Sequence, residues 1–177
     1  MNLYDILMSE DVVETIENNL DILLQLIPEI KDMIGFEHRH PAHIYDVWEH
    51  TLYALKLSPK DFDTRLALLL HDIGKPFSYS EDGNIRHYYN HPQVSASMAF
   101  TILNRLGFDN SYIEKICFLV RNHDNRITNS LVNDCYDWCL ILYDVQCCDA
   151  FAHNPENLES RKTYLEKTHK LIYKESD

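Results

Sequence analysis

Ala67-Leu68-Leu69-Leu70-His71-Asp72-Ile73-Gly74-Lys75-Pro76 is the stretch that decides the fold of this chain. Its apolar residues continue a helical pattern that begins near Phe62, and a glycine followed by a proline is a typical helix stop. His71 and Asp72 follow the apolar run directly. Burying two ionisable groups without a partner costs several kcal/mol, which a bound metal would offset. The spacing alone leaves a metal ligand and an ordinary partnered core residue equally open.

The remainder of the sequence favours an all-α protein. Only 4 Gly and 6 Pro occur in 177 residues, and hydrophobic residues make up 45%, which suits one globular domain. Residues 77–90 read as a loop or a short hairpin. Periodicity and capping signals predict about six or seven helices: a stretch within the first 34 residues capped by Ser9, then about 44–57, 59–73 with Ser58 as the cap, 91–106, 113–120, 132–151, and a last helix after Asn154-Pro155.

Charge and composition exclude several classes of protein. The net charge is −12, which argues against general nucleic-acid binding but not against a small anionic substrate beside a metal. Five cysteines without a CxxC pair are expected to be reduced thiols. The start of the chain lacks a signal-peptide pattern, and no apolar run is long enough to cross a membrane. We therefore expect a cytoplasmic protein without a membrane partner.

Metal-binding residue types recur at the ends of predicted helices and inside them. A single histidine among the ten in this chain is more often a surface or core residue than a ligand. Imidazole and carboxylate together suit Mn, Fe, Ni, Co or Zn, and helical bundles commonly hold such inward-facing ligands. The candidates are His50, His71, Asp72, His91, His123 and Asp149.

The stretch with His71 and Asp72 is similar to the signature of the HD superfamily of metal-dependent phosphohydrolases. Tyr45-Asp46-Val47-Trp48-Glu49-His50-Thr51-Leu52 resembles the segment that supplies the first histidine of that family, and Cys148-Asp149-Ala150 resembles its last aspartate. The resemblance implies a single HD-type helical bundle. It divides the chain into an N-terminal helical extension (1–37), a metal-binding core (38–155) and a C-terminal helix (156–177).

A closer resemblance is to the HD domains of bacterial CCA-adding tRNA nucleotidyltransferases and their free-standing relatives. Tyr89-Asn90-His91-Pro92-Gln93-Val94-Ser95-Ala96 and Phe118-Leu119-Val120-Arg121-Asn122-His123 look like the segments that carry two extra histidines there. Relatives often have Gly-His-Glu where this chain has Asn90-His91-Pro92, which leaves the role of His91 open. The Gly-rich turn and paired carboxylates of the nucleotidyltransferase domain are not found, so CCA addition is not expected.

The resemblance also implies the chemical roles. One divalent metal (Mn, Fe, Ni, Co or Zn, with Mg also open) is bound by His50, His71, Asp72 and Asp149, and a metal-activated water attacks phosphorus. His91 and His123 either hold a second metal, bridged by Asp72, or contact the substrate phosphate. Lys75 is expected to meet a phosphate oxygen, the alternative being a cation at a helix C-terminus.

Several further residues are weaker candidates. Arg121 and Arg126 flank His123 and can contact a nucleotide, although solvated surface charge is the preferred interpretation. Arg39, His40 and His43 form a polar group in which His43 is a candidate pocket residue. The general acid is left open among Asp46, Glu49 and Asp124, and Trp48 and Trp138 are expected in the core.

The predicted function is hydrolysis of a phosphomonoester or phosphodiester of a small nucleotide or nucleotide-like compound. Its alternative is a regulatory module that senses a nucleotide with little turnover. The sequence leaves open the substrate, the metal, the number of ions and the oligomeric state.

Overall fold

The computed structural model describes residues 1–174, and within that range the protein is almost entirely helical, as predicted. It has more helices than the six or seven expected, together with short 3₁₀ turns at Pro28–Asp32, Lys75–Phe77 and Pro155–Asn157. The helices are α1 (Leu3–Leu7), α2 (Val12–Asn18), α3 (Leu20–Leu26), α4 (Val47–Leu57), α5 (Phe62–Leu70), α6 (His91–Arg105), α7 (Asn110–Asn122), α8 (Asn129–Asp134), α9 (Tyr136–Ala152) and α10 (Leu158–Tyr173).

Helix α5 and the turn after it form the centre of the molecule. Every residue from 64 to 75 is buried, so the whole circumference of this segment contacts protein. Helices α4, α7 and α9 pack around it. The buried run explains why the stretch is apolar on all sides, and it places His71 and Asp72 in the interior.

Helix α9 is the second central element. It packs against α4, α5, α7, α8 and α10, and it buries Cys139, Leu142 and Val145 completely. A helix that contacts neighbours on several sides must be apolar on more than one face. Asp149 is a charged residue among the buried positions of α9. Its side chain points into the same interior as that of Asp72.

The N-terminal stretch differs from the sequence prediction. Ser9 does not cap a helix, because its hydroxyl donates to the carbonyl of Ile6 at 2.9 Å. Asp11 caps α2 instead, accepting from the N–H of Glu14 at 3.0 Å. A separate helix, α1, precedes it and begins at a reciprocal capping pair between Asn2 and Asp5.

Two later boundaries also differ. The cap of α5 is Asp61 and not Ser58, because the Asp61 carboxylate accepts from both the N–H and the hydroxyl of Thr64 at 2.8 Å. The Ser58 hydroxyl donates backwards to Leu55 at 2.6 Å and closes α4. The predicted helix over 132–151 is divided at Cys135, whose φ of −141° and ψ of 50° lie outside the helical region.

Residues 77–90 form the hairpin that the sequence allowed, with strands β1 (Ser80–Asp82) and β2 (Ile85–His87) paired antiparallel around Gly83, whose φ is +59°. Arg86 fastens it to the core by donating to the carbonyl of Glu37 at 2.8 Å. The Tyr88 hydroxyl donates to the carbonyl of His38, also at 2.8 Å. These contacts hold the end of the hairpin beside the buried turn after α5.

The N-terminal helices are tied to the core by one buried cation. Arg65 Nη1 donates to the carbonyls of Leu7 at 2.6 Å and Ser9 at 2.9 Å, and its Nε donates to Ser58 Oγ at 3.1 Å. The five cysteines, all within the described residues, are free thiols as expected. Among residues 1–174 we find no helix with the length and apolar character that crossing a bilayer requires.

Candidate metal centre

Six predicted ligand residues from five separate parts of the chain converge in the interior. Each is at most 5% exposed. Helix α4 supplies His50, the turn after α5 supplies His71 and Asp72, the first residue of α6 is His91, the residue after α7 is His123, and α9 supplies Asp149.

One side of this cluster is formed by His50, His71, Asp72 and Asp149. Asp72 Oδ2 lies 3.3 Å from His71 Nε2 and 3.6 Å from His50 Nε2. Asp149 Oδ1 lies 2.9 Å from His50 Nε2 and 3.5 Å from His71 Nε2. These contacts bring together the four residues that the resemblance implies as ligands, although the groups able to hold one ion combine His50 and His71 with Asp72, and His50 and Asp149 with His153.

The other side of the cluster is formed by His91 and His123. Asp72 Oδ1 lies 3.3 Å from His91 Nε2 and 3.8 Å from His123 Nε2, while the two Nε2 atoms are 3.1 Å apart. Each oxygen of Asp72 therefore faces a different pair of histidines. Asp72 therefore belongs to two of the three groups that could hold a cation among the described residues, one with His50 and His71 and one with His91 and His123, while the third group is His50, Asp149 and His153.

Backbone carbonyls orient the imidazole rings. His91 Nδ1 is 2.6 Å from the carbonyl of Tyr88, and His123 Nδ1 is 2.7 Å from that of Val120. Because a carbonyl accepts only, each Nδ1 must carry the proton, which leaves each Nε2 of a neutral ring with a lone pair. His71 is held in the same way by Leu68, at 2.6 Å. This second contact fixes the tautomer that a metal ligand needs.

The residues present fit a divalent cation. Two Nε2 lone pairs 3.1 Å apart repel each other unless a cation or proton lies between them. Neither oxygen of Asp72 accepts a well-aligned hydrogen bond within the described part of the chain, although both are fully buried. A buried carboxylate without hydrogen bonds is costly unless it is paired or bound to a metal.

The electrostatics of the cluster agree with its use as a ligand set. Burial alone would raise the pKa of Asp72, but His71 and Lys75 hold that pKa well below its ordinary value. Burial lowers the pKa of His71, yet the neighbouring carboxylates of Asp72 and Asp149 outweigh it and raise the pKa to about 10. The carboxylates are thus ionised, and His71 must release a proton before it can bind a metal.

Lys75 contacts the cluster itself. Its Nζ lies 2.7 Å from Asp72 Oδ2 and 3.0 Å from His38 Nε2, and the side chain is 4% exposed. The ammonium group of Lys75 therefore does more than interact with a helix C-terminus, which was the alternative interpretation from the sequence. It positions Asp72 while also lining the cleft that leads to the surface.

Sequence reasoning missed two histidines of the cluster, His38 and His153. His153 Nδ1 lies 2.7 Å from the carbonyl of Asp149, and the spacing of four residues on a helix could have placed it on the same face. His38 stacks on His43 with ring centres 3.6 Å apart. His43 also lines a cleft beside the cluster, as suggested from the sequence. Burial lowers the pKa of His38 to about 2 and that of His153 to about 4, which keeps both rings neutral.

Two of the three candidates for the general acid are structural. Asp46 and Glu49 form a reciprocal capping pair at the start of α4, with Asp46 Oδ1 2.7 Å from the N–H of Glu49. Their carboxylates accept from the backbone of α4, and neither residue lines either of the two clefts that contain Asp124 and Asp149. Asp124 is better placed, since its Oδ2 lies 3.4 Å from His91 Nε2 and the side chain is 47% exposed.

The remaining candidates lie outside the cluster. Trp48 is 7% exposed and belongs to the core, as predicted. Trp138 packs on Phe118 and lines a separate groove together with Arg121, which is exposed. Arg39 is paired with Glu81 of the hairpin.

Two clefts of about 240 Å³ each open from the cluster to the surface. The first, here called the aromatic cleft, is lined by Lys75, His40, His87, Tyr88 and Tyr89. The second, the arginine cleft, is lined by Asn125, Arg126, Gln146 and Tyr164. Both clefts share four residues, which are His123, Asp124, Asp149 and Arg161.

The fold and this cluster define an all-α protein with buried His/Asp groups that are able to hold a divalent metal. The chain belongs to the HD-domain family, whose model matches residues 42–167. That family corresponds to the superfamily of metal-dependent phosphohydrolases that the motifs resemble.

Two relatives at modest identity are tRNA nucleotidyltransferases. A segment of 108 residues is 34% identical to the CC-adding tRNA nucleotidyltransferase of Thermus thermophilus, covering 57% of this chain and 25% of that protein. A segment of 111 residues is 31% identical to the A-adding tRNA nucleotidyltransferase of Deinococcus radiodurans, covering 59% of this chain and 25% of that protein. The matched segment thus spans about a quarter of the length of these relatives.

Proposed function

We propose that this protein is a metal-dependent phosphohydrolase that acts on a small nucleotide-like phosphoester. The observation that carries the proposal is the placement of Asp72, whose two buried oxygens each face a different pair of histidine Nε2 atoms. Lys75 neutralises part of the charge on the Oδ2 side, whereas Oδ1, among the described residues, faces only His91 and His123. The HD family and the solvent-accessible clefts beside the cluster support the assignment.

In this proposal His50, His71, Asp72 and Asp149 would hold a divalent metal, and His91 and His123 would provide ligands for a second ion. A metal held there supplies water activation and neutralises charge on the phosphoester. Lys75 keeps Asp72 oriented and adds positive charge at the mouth of the aromatic cleft. Asp124, exposed beside His91, is the candidate that delivers a proton to the leaving oxygen.

The test is metal analysis combined with phosphate-ester turnover. Protein purified without chelator is analysed for Mn, Fe, Ni, Co and Zn, then assayed on bis-p-nitrophenyl phosphate, 2′,3′-cyclic nucleotides and 5′-nucleotides. We expect metal-dependent turnover that Asp72→Asn reduces about 100- to 1,000-fold, the range seen when one group that stabilises the transition state electrostatically is removed. The exposed Asp32→Asn provides the matched control.

The outcomes separate the candidate functions. Turnover that survives in Asp72→Asn would contradict the assignment of the centre. Stoichiometric metal without turnover on any ester would instead favour the nucleotide-sensing alternative. A wild-type protein that binds no metal would remove the basis of both.

A further inference from the structure

We infer that the substrate is a phosphodiester with a bulky group on each side of the phosphorus, one group in the aromatic cleft and the other in the arginine cleft. The inference rests on the proposed function, because it places the phosphorus at the cluster where the clefts meet. It goes further by selecting the diester over the monoester. It also assigns Arg161 as the residue that contacts the phosphate group.

The shape of the surface carries the first step. A monoester has one substituent on phosphorus and requires one cleft, whereas a diester has two. Here two clefts of equal volume, about 240 Å³, meet at His123, Asp124 and Asp149. Sites for drug-sized ligands span roughly 300–1,000 Å³, so neither cleft alone reaches that range, while the two together do.

The lining of the aromatic cleft indicates a planar group. Tyr89 is 79% exposed, and its ring lies parallel to that of His87, with centres 5.5 Å apart and an angle of 5°. Both residues are carried by the end of the hairpin, which Arg86 and Tyr88 hold against the core. An exposed aromatic surface beside a phosphoester site is suited to stack a nucleobase.

The lining of the arginine cleft indicates a polar or charged group. Arg126 is exposed there and, within the described residues, makes neither an ion pair nor a hydrogen bond. The amide of Gln146 is fully used, since its Nε2 donates to the carbonyls of Asn122 at 3.1 Å and Asn125 at 2.7 Å. The cleft wall is therefore fixed, and Arg126 is available for a ligand.

Arg161 of α10 lines both clefts. In the part of the chain that the structure describes, its guanidinium has no carboxylate within ion-pair distance and no hydrogen bond. This is notable in a chain of net charge −12, where Arg105 and Arg86 are paired with glutamates. A half-buried guanidinium at the junction suits the anionic oxygen of a diester, to which it can donate two hydrogen bonds.

The reaction that follows is hydrolysis and involves no oxidation. The oxygen of water bonds to phosphorus, and the phosphorus–oxygen bond to one of the two groups breaks with its electron pair. The leaving oxygen takes up one proton, which balances the proton lost by the water. The products are a phosphomonoester and an alcohol.

The experiment compares three substrates with manganese-loaded protein: a dinucleoside 3′,5′-monophosphate, the methyl ester of a nucleoside monophosphate, and a nucleoside 5′-monophosphate. We expect kcat/KM to be highest for the dinucleoside. Arg161→Gln should reduce kcat/KM for both diesters at least tenfold. The exposed residues Arg121 and Tyr136, which lie outside both clefts, provide the controls Arg121→Gln and Tyr136→Ala.

Variants of each cleft test the two-group binding directly. Stacking of one base is worth ~1–3 kcal/mol, so Tyr89→Ala should lower kcat/KM for the dinucleoside roughly 5- to 150-fold. Arg126→Gln should also lower it. With the methyl ester, whose second group is missing, one of these two variants must lose its effect.

Binding is measured separately, by calorimetric titration of the dinucleoside monophosphate in chelator, where no hydrolysis takes place. We expect the dinucleoside to bind at least tenfold more tightly than the mononucleotide. Arg161→Gln should weaken the binding of both ligands, whereas one of the cleft variants Tyr89→Ala and Arg126→Gln should remove the difference between them. Two-group binding without turnover would overturn the proposed function and keep only the binding of a diester across the two clefts. Turnover with no preference for the dinucleoside, and unaffected by the cleft variants, would overturn the inference alone. If the dinucleoside is neither bound nor hydrolysed, both the inference and the proposed function are overturned.

Discussion

At the scale of single residues, the environment of Asp72 explains why a lysine can be buried beside the candidate metal centre. Lys75 Nζ is 2.7 Å from Asp72 Oδ2 and has His38 Nε2 at 3.0 Å on its other side. Its charge offsets that of the carboxylate, but it also repels a cation held by the same carboxylate. If Lys75 orients Asp72, removing the lysine should lower the metal affinity. If Lys75 instead binds the substrate phosphate, removing it should leave the metal affinity unchanged or raise it.

We expect Lys75→Met to separate these two roles. If the lysine meets the substrate phosphate, kcat/KM falls about 10- to 100-fold, equivalent to the ~1.5–3 kcal/mol of a charge-assisted hydrogen bond. Metal affinity, measured by titration with manganese, stays unchanged or rises, because a like charge is removed. A fall in metal affinity with unchanged KM would show that Lys75 acts through Asp72 alone, and Lys75→Arg should then restore most of the affinity.

At the scale of elements, the turn after α5 and the start of α6 are fitted together at Gly74. The N–H of Gly74 donates to Ser95 Oγ at 2.9 Å, and a Cβ built at Gly74 would lie 2.5 Å from Ser95 N. The turn thus approaches α6 more closely than any residue with a side chain allows. This contact fixes the distance between Asp72 and His91, the two sides of the ligand cluster.

Gly74→Ala is expected to destabilise the protein and loosen the cluster together. Overpacking of this kind costs ~1–3 kcal/mol, and at this chain length each kcal/mol lowers Tm by roughly 2–4 °C. The measurement is Tm by calorimetry, alongside manganese affinity. Gly83→Asn is the control, since Gly83 has a φ of +59° that asparagine tolerates and open space around it. Unchanged Tm and metal affinity in Gly74→Ala would contradict this account.

At the scale of the whole molecule, the cluster joins elements that are distant in sequence. His50 Nε2 and Asp149 Oδ1, 2.9 Å apart, are separated by 99 residues, and His91 Nε2 and His123 Nε2 by 32. A ligand that binds all of them in the folded state and few in the unfolded chain stabilises the fold by mass action.

We therefore expect divalent metal to raise the stability of the entire chain. At a free metal concentration 100 times the dissociation constant, the gain is about 2.7 kcal/mol, which corresponds to a rise in Tm of roughly 5–10 °C at this size. Thermal unfolding followed by circular dichroism, with manganese or with chelator, measures the shift. Asp72→Asn should lose most of it, while Asp32→Asn should keep it; an equal shift in both variants would place the metal elsewhere.

The helical class was determined by the sequence itself, and so was the prediction of histidine and aspartate side chains as candidate metal ligands. An apolar run that ends in His71-Asp72 has to be buried, and burial of two ionisable groups requires a partner for them. The same local reasoning was wrong about Ser9 and Ser58 as caps. Several side chains near a helix start can accept the same backbone N–H, and sequence spacing does not show which of them does.

Only the tertiary structure decided how these groups are arranged. Glu49 adjoins the candidate ligand His50 in sequence, yet its carboxylate and that of Asp46 accept from the backbone at the start of α4. His38 and His153 instead reach the cluster through packing. Arg161 lies on a helix outside the recognised motifs and lines both clefts because α10 packs on α9. Spacing along one helix specifies a face of that helix. Which faces of different helices meet depends on how the whole core packs, and that is a property of all the contacts together.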